Sequence, residues 1–283
     1  RDKTVLVGNS NGSVDWSNDE GKSFQPLPPD VGPPPLVGNI SVAFDARYAS
    51  NKTVYAASDS ADKGIYRYIV GQSSSWERID TTLPDGALIG QLAMSSDGVL
   101  YATNFKANGG LERCLDPTYT LGPTFRTVTR GLSDGATLSG LWVQGNRLYS
   151  IDKTNTRLMT YIDSLNRPVS FTSPPDKASG LGNYVDYTVR NISLEWAALN
   201  GATRYHWQLD YDSNFTVPPQ GFEGDTEGTS ARLPALDPAT KHYWRERATQ
   251  QVLSPWSATA TFTTCHGAEA NAPTLLTPTA GTT

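Results

Sequence analysis

The chain has 283 residues, of which 18% are charged and 10% aromatic, and a formal net charge of −5. That is the profile of a folded chain long enough for two ordinary domains, not of a disordered one. There is no basic cluster to hold a polyanion, which sets nucleic acid aside as a partner, and no apolar run approaches the ~18 residues that a membrane helix needs.

In chain order, Thr4-Val5-Leu6-Val7-Gly8 and Val14-Asp15-Trp16 read as short strands. The stretch Ser17-Asn18-Asp19-Glu20-Gly21-Lys22-Ser23-Phe24 leads from the second of them into Gln25-Pro26-Leu27. Its composition suits a tight hairpin. Asp19 can accept backbone N–H bonds inside the turn, Gly21 supplies a positive φ, and Phe24 is expected to anchor the returning strand. A proline-rich connector, Pro28 to Gly38 with Pro33-Pro34-Pro35, cannot sit inside a sheet. Three more units follow: Asn39 to Asp80, Leu83 to Thr129, and Leu132 to about Ser173.

These units repeat. Thr53-Val54-Tyr55-Ala56-Ala57, Val99-Leu100-Tyr101-Ala102-Thr103 and Arg147-Leu148-Tyr149-Ser150-Ile151 align with the first strand. Leu6, Tyr55, Tyr101 and Tyr149 then lie about 46–49 residues apart, within the range of structural repeats. Phe24, Trp76, Phe125 and Phe171 recur in step near the end of each unit. Ahead of three units stands another apolar run: Ile40 to Phe44, Ile89 to Met94 and Leu138 to Val143. Each unit therefore predicts an inner strand, a middle strand and two outer strands. The first lacks its inner strand, so the sequence is expected to begin inside a repeat.

The pattern Ser17-x-Asp19-x-Gly21-x-Ser23-Phe24 resembles the Asp-box of bacterial neuraminidase-type (BNR) repeats. The resemblance implies β-propeller blades, with Ser17, Asp19, Gly21 and Phe24 as a folding device rather than a catalytic site. Sialidase-type enzymes that share this turn use an arginine cluster and a Tyr/Glu pair on inner strands. Here those strands carry Ser41, Ala43, Gln91, Ala93, Ser139 and Leu141.

After Ser173 the pattern changes. Leu194-x-Trp196, Gly201-Ala202-x-x-Tyr205, Leu236-x-Pro238-x-Thr240, Tyr243-Trp244-Arg245 and Ser254-Pro255-Trp256-Ser257 occur in that order. Together they resemble a bacterial fibronectin type III domain. Two positions depart from it. His242 stands where the family has a corner tyrosine, and Glu246 stands where it has an apolar residue. By alternation His242, Trp244, Glu246 and Ala248 share one face, so Glu246 is either buried with a partner or marks a register shift. The expected fold is thus all-β: partial β-propeller blades followed by an immunoglobulin-like (fibronectin type III) β-sandwich. The boundaries are 1–167 for about four blades, 168–264 for the sandwich, and 265–283 for a linker and the start of a further domain, with a strand over Ala272–Pro278.

Candidate chemistry is sparse. Gly8-Asn9-Ser10-Asn11-Gly12 matches G-x-S-x-G, but a strand and not a helix follows it, so it is a chance match. Asp210-Tyr211-Asp212 and Asp15/Asp19/Glu20 could offer oxygens to calcium, yet neither has the spacing of a dedicated loop. Cys114 and Cys265 make no zinc pattern with His206, His242 and His266 and read as separate thiols. No catalytic residue and no cofactor is assigned. Asn11, Asn39, Asn51, Asn191 and Asn214 stand in glycosylation sequons. The sequence leads to an extracellular, non-enzymatic structural or adhesive protein of a surface layer, sheath or filament. Its expected partners are copies of itself, other surface proteins or glycans, with Trp16, Trp142 and Trp256 as exposed contact rings. The alternative is an exported glycosidase whose propeller is only partly present.

Overall fold

The computed structural model of the protein describes residues 3–29, 35–61, 64–249 and 252–267. Pro33, Pro34 and the strand expected over Ala272–Pro278 lie outside the described residues. The chain is all-β apart from one short helix among these residues, and it divides into two compact units, Arg1–Arg167 and Pro168–Thr283.

The first unit is a series of small antiparallel sheets. Sheet 1 runs β1 (Val5–Gly8), β2 (Val14–Ser17), β3 (Gln25–Pro26). Sheet 2 runs β4 (Ile40–Phe44), β5 (Thr53–Ser58), β6 (Ile65–Ile69), β7 (Glu77–Arg78), with helix α1 (Tyr48–Asn51) between β4 and β5. Sheet 3 runs β8 (Ile89–Met94), β9 (Leu100–Asn104), β10 (Leu111–Cys114), β11 (Phe125–Val128). Sheet 4 holds β12 (Leu138–Gln144), β13 (Arg147–Asp152) and β14 (Arg157–Ile162). Leu6, Tyr55, Tyr101 and Tyr149 fall in β1, β5, β9 and β13. These strands hold equivalent places, because β1 precedes β2 as β5 precedes β6. The sheets do not close into a ring among the described residues.

A strand inside such a stack is covered on both faces, so its alternation is one of neighbour and not of polarity. β5 is buried throughout. Val54 and Ala56 pack with Val14, Leu27 and Leu36, toward sheet 1. Tyr55 and Ala57 pack with Leu100, Ala102 and Phe125, toward sheet 3. Sheet 2 thus has one face for the sheet before it and one for the sheet after it.

Three expectations change. Phe24 is 46% exposed and does not anchor its strand. Its counterparts Trp76 and Phe125 are buried because each packs against the preceding sheet: the Trp76 indole donates to the Leu27 carbonyl at 2.9 Å, and Phe125 packs with Tyr55 and Ile65. Phe24 has no preceding sheet among the described residues. Phe171 does not end the fourth repeat. It lies in β15 (Phe171–Ser173) of the second unit, opposite Trp196. Trp16 is half-buried, and its indole donates to the Tyr48 hydroxyl at 2.9 Å.

The second unit adds β16 (Ala178–Leu181), a hairpin of β17 (Asn183–Val185) and β18 (Thr188–Arg190), β19 (Ser193–Trp196), β20 (Tyr205–Asp210), β21 (Glu223–Thr226), β22 (Ser230–Arg232), β23 (Lys241–Ala248) and β24 (Ala260–Thr264). A three-stranded sheet, β15-β19-β22, and a five-stranded one, β16-β24-β23-β20-β21, share a core. Phe171 meets Trp244 edge-on at 5.6 Å, and Trp196 packs on Tyr205 at the same separation. Both tryptophans are buried. Truncating either Trp196 or Trp244 to alanine should cost about 3–5 kcal/mol, the range for large buried aromatics. Denaturant unfolding of the two variants checks this, and a loss below about 1 kcal/mol would remove these rings from the core.

Candidate functional site

The Ser17–Phe24 turn closes on itself. The Ser17 hydroxyl donates to Asp19 Oδ1 at 2.7 Å and accepts the Gly21 N–H at 3.0 Å. Asp19 Oδ1 also accepts the N–H groups of Lys22 and Ser23, both at 3.0 Å, and Oδ2 takes the Ser23 hydroxyl at 2.7 Å. These donors, the Ser23 hydroxyl foremost, pull the Asp19 carboxyl down to about 2. Gly21 sits at φ 82°, where an L side chain is strained. The acids considered for calcium are occupied in the same way: Asp210 Oδ1 accepts the N–H of Tyr211 and Asp212, and Asp212 Oδ1 that of Asn214. These are turn-capping bonds.

Between sheets, the third strand does the work. Arg67, on β6 beside Tyr55, pairs with Glu77 at 2.7 Å and donates to the carbonyls of Pro117 at 2.8 Å and Tyr119 at 3.2 Å in the third repeat. Arg113, on β10 beside Tyr101, reaches past β14. Its Nε meets Asp163 Oδ2 at 2.5 Å, and its Nη2 donates to Asp163 Oδ1 at 3.1 Å and to the Leu165 carbonyl at 2.8 Å. The Tyr101 hydroxyl donates to the same carboxylate at 2.6 Å, and burial raises the tyrosine's pKa. The sequence reading missed both arginines. Their signal was present, since each follows its repeat tyrosine at equal spacing.

The inner strands, where a propeller enzyme would carry arginines, are used as stitches. The Ser41 hydroxyl accepts the Leu92 N–H at 2.8 Å, and the Gln91 amide oxygen accepts the Leu141 N–H at 2.9 Å. A cleft of about 710 Å³ runs along them, lined by Asn39, Ser41, Asp59, Gln91, Phe105 and Lys153 among others. Asp59 accepts the Asn39 N–H at 2.9 Å and its amide at 2.5 Å.

Of the sequon asparagines, Asn11, Asn39, Asn191 and Asn214 are exposed. Asn51 is half-buried, and its amide nitrogen donates to Asp45 at 2.7 Å. Cys114 and Cys265 are free thiols; Cys114 is buried between sheets 2 and 3, and burial pushes it up to about 12.

Four exposed apolar residues of the first unit, Trp142, Ile151, Leu158 and Ile162, gather on one face of sheet 4. Register puts Trp142 beside Tyr149, and Ile151 beside Leu158. Trp142 stacks on Tyr149 at 5.4 Å and is 62% exposed. Leu158 is 68% exposed, while its counterparts Ile65 and Leu111 are 0% and 4% exposed. Of the three tryptophans expected as contact rings, Trp142 alone stands open. Trp256 lies under the guanidinium groups of Arg245 and Arg247, at 4.2 and 4.1 Å.

In the second unit the alternation of β23 holds through Glu246, so the register does not shift: His242, Trp244, Glu246 and Ala248 are all buried. Ser257, not an arginine, meets Glu246, its hydroxyl donating to Oε2 at 3.0 Å. Burial raises the Glu246 carboxyl to about 7 against that bond. His242 packs among Tyr211, Phe222 and Phe262, and burial lowers it to about 4.

No known protein family matches the chain, and no curated protein matches it. Solved structures do. One is a GH74 enzyme from Niastella koreensis, 14% identical, with a TM-score of 0.40 over 91% of this chain and 48% of that one. Another is the extracellular domain assigned to a hybrid two-component system of B. thetaiotaomicron, 13% identical, with a TM-score of 0.36 over 93% of this chain and 38% of that one. A third, of three fibronectin domains of chicken CNTN1, is 10% identical, with a TM-score of 0.28 over 92% and 97%. This chain therefore spans less than half of the first two.

Two outcomes follow from the site's electrostatics. Replacing Arg113 by methionine leaves Asp163 buried without its cation and should cost about 3–5 kcal/mol, read by denaturant unfolding. A loss under about 1 kcal/mol would mean the pair does not hold sheets 3 and 4 together. The second concerns pH. Glu246 has its folded pKa raised, so its contribution is complete below about 4.5 and is lost as pH rises toward 7. His242 has its folded pKa lowered, so its contribution is complete above about 6.5 and is lost as pH falls toward 4. Thermal melts should show Glu246→Gln more stable than the parent at pH 8 and no different near pH 4. His242→Phe should instead flatten the acid side. Parallel melting curves for parent and variants across pH 4–8 would contradict both assignments.

Proposed function

We propose that the chain is part of an exported, non-enzymatic surface protein, built from partial β-propeller blades with an Asp-box turn and a fibronectin type III sandwich, and that it works by assembly or adhesion. The observation that carries this reading is the open face of sheet 4, where Trp142, Tyr149, Ile151, Leu158 and Ile162 make an aromatic and aliphatic contact surface. Contiguous exposed apolar surface of this kind marks interaction sites, and aromatic rings dominate interface energetics. Arg67, Arg113, Asp163 and Asp19 serve the scaffold of the first unit, each bonded to backbone or to one another. Among the described residues no helix is long and apolar enough to cross a membrane, and four exposed sequon asparagines suit an exported chain.

A second reading, an exported glycosidase, rests on the inner-strand cleft with Asp59 at its wall. The two separate in one assay. The purified chain, incubated with β-glucans, xyloglucan and sialosides, should release no sugar, while cells or walls carrying its surface partners should retain it. Sugar release that disappears with Asp59→Ala would overturn the structural reading.

A further inference from the structure

Backbone bonding alternates along an antiparallel pair, so every second residue of a strand turns its N–H and C=O to the other side. In β14 the Asp163 N–H fixes the phase, donating to the Asn146 carbonyl at 2.9 Å. Register then assigns Arg157, Met159 and Tyr161 to β13, and turns the N–H and C=O of Leu158 and Thr160 outward.

The same two positions are covered in the other three sheets. Pairing with the second strand of each repeat makes Val14, Ile65 and Leu111 the counterparts of Leu158, and Trp16, Arg67 and Arg113 those of Thr160. The strand that follows bonds to them. The Leu27 N–H donates to the Val14 carbonyl at 2.9 Å, the Ile79 N–H donates to the Ile65 carbonyl at 3.0 Å, and Leu111 pairs with Val128. The covering strands share one pattern, aromatic-polar-x-aliphatic: Phe24-Gln25-Pro26-Leu27, Trp76-Glu77-Arg78-Ile79 and Phe125-Arg126-Thr127-Val128. Its aliphatic member is buried all three times.

Sheet 4 ends at β14. Among the described residues, no hydrogen bond reaches the outward groups of Leu158 and Thr160. The residues that follow do not fold back to supply one. Asp163 and Leu165 are held by Arg113 of sheet 3, and Phe171 pairs with β19. Edge strands are ordinarily kept short, charged or interrupted by proline. β3 and β7 follow that rule, with two residues each, Gln25–Pro26 and Glu77–Arg78. β14 has six residues and a single charge, Arg157, and its Leu158 and Ile162 are 68% and 49% exposed.

We infer that the outer edge of β14 is a strand-acceptor site. Its occupant is an extended segment of a partner protein, antiparallel to β14, with the aromatic-polar-x-aliphatic pattern and its aliphatic residue beside Leu158. Main-chain bonds give the affinity in such a pairing, and the alternate side chains give the selectivity. This deepens the assembly reading above and rests on it for the partner being another protein.

The probe is a fluorescein-labelled peptide with the sequence of residues 123–130, titrated with the full chain and read by fluorescence anisotropy. The parent should bind it saturably. Thr160→Pro removes an outward N–H and spares the bonds to β13, and should weaken binding about tenfold. A peptide N-methylated at the position of Val128 should lose about as much on the unaltered chain, which keeps the test independent of how the variant folds. Amide hydrogen exchange at Leu158 and Thr160 should slow when the peptide is added and stay unchanged at Met159 and Tyr161. A peptide that does not bind overturns the inference. So does binding that neither Thr160→Pro nor N-methylation weakens, and so do Leu158 and Thr160 amides already protected in the free chain. A chain that is retained on its surface and ignores the peptide would leave the assembly reading standing while sinking this one.

Discussion

The first unit depends on a directional bond that crosses from each sheet to the next, and the Arg113–Asp163 pair is its strongest form. Stacked apolar sheets attract without fixing their offset, because burial is nearly indifferent to a small slide. A guanidinium that must meet one carboxylate and one carbonyl is not indifferent. Taking both charges out of water is costly, and it is tolerated only where every polar atom is met. Asp163 accepts from Arg113 twice, from the Tyr101 hydroxyl at 2.6 Å and from the Leu165 N–H at 3.2 Å. The same position is filled more modestly along the chain. In sheet 1 it is Trp16, a neutral donor to Tyr48; in sheet 2 it is Arg67, whose partner Glu77 is half open to solvent. In sheet 4 it is Thr160, which register places beside Tyr149, and there the series of latches stops.

What was legible in the sequence was local or periodic. The Ser17–Phe24 turn needs only its own hydroxyls, one carboxylate and one glycine, so its residues announce it. The strand positions of Leu6, Tyr55, Tyr101 and Tyr149 follow from spacing and alternation, which both survive folding. Burial was harder, because it depends on which sheet stands opposite. Phe24, Trp76 and Phe125 look alike in sequence, and among the described residues a preceding sheet is there for Trp76 and Phe125 to cover. Phe171 kept the repeat's spacing by coincidence, and its pairing with β19 belongs to the second unit. The exit from sheet 4 is set by Arg113 holding Asp163 and Leu165, a contact between distant residues that no local pattern reveals.

The second unit shows a different compromise. Alternation along β23 was enough to put His242 and Glu246 on the core face, but not to name their partners. Glu246 finds Ser257, whose hydroxyl also accepts the Glu246 N–H at 3.1 Å. That exchange holds β23 to the segment at Ser254–Ser257 while leaving Glu246 Oε1 without a hydrogen-bond partner among the described residues. Neither ring nitrogen of His242 meets one either. Each is a polar group in an apolar setting, and each relieves the cost by favouring its neutral form. The core is therefore most comfortable where glutamic acid and neutral imidazole coexist, between the carboxyl's lower range and the imidazole's ordinary one.

The two units also treat their open edges differently. In the second, β21 lies at the edge of its sheet and carries Glu223 and Asp225, with His206 and Gln208 of β20 bonded to them. Charges on an edge strand discourage another strand from pairing there. In the first, one face of sheet 4 carries Trp142, Ile151, Leu158 and Ile162, all exposed. A face left to water is ordinarily polar, because contiguous exposed apolar patches favour association. Sheet 4 has the reverse: Ile151 and Leu158 at positions that alternation alone would permit to be lysine or threonine, as it permits Thr160 between Leu158 and Ile162. One chain thus guards one edge with acid and leaves one face apolar. Because water disfavours such a face, its exposed rings and aliphatic side chains are what support the contact role proposed for it.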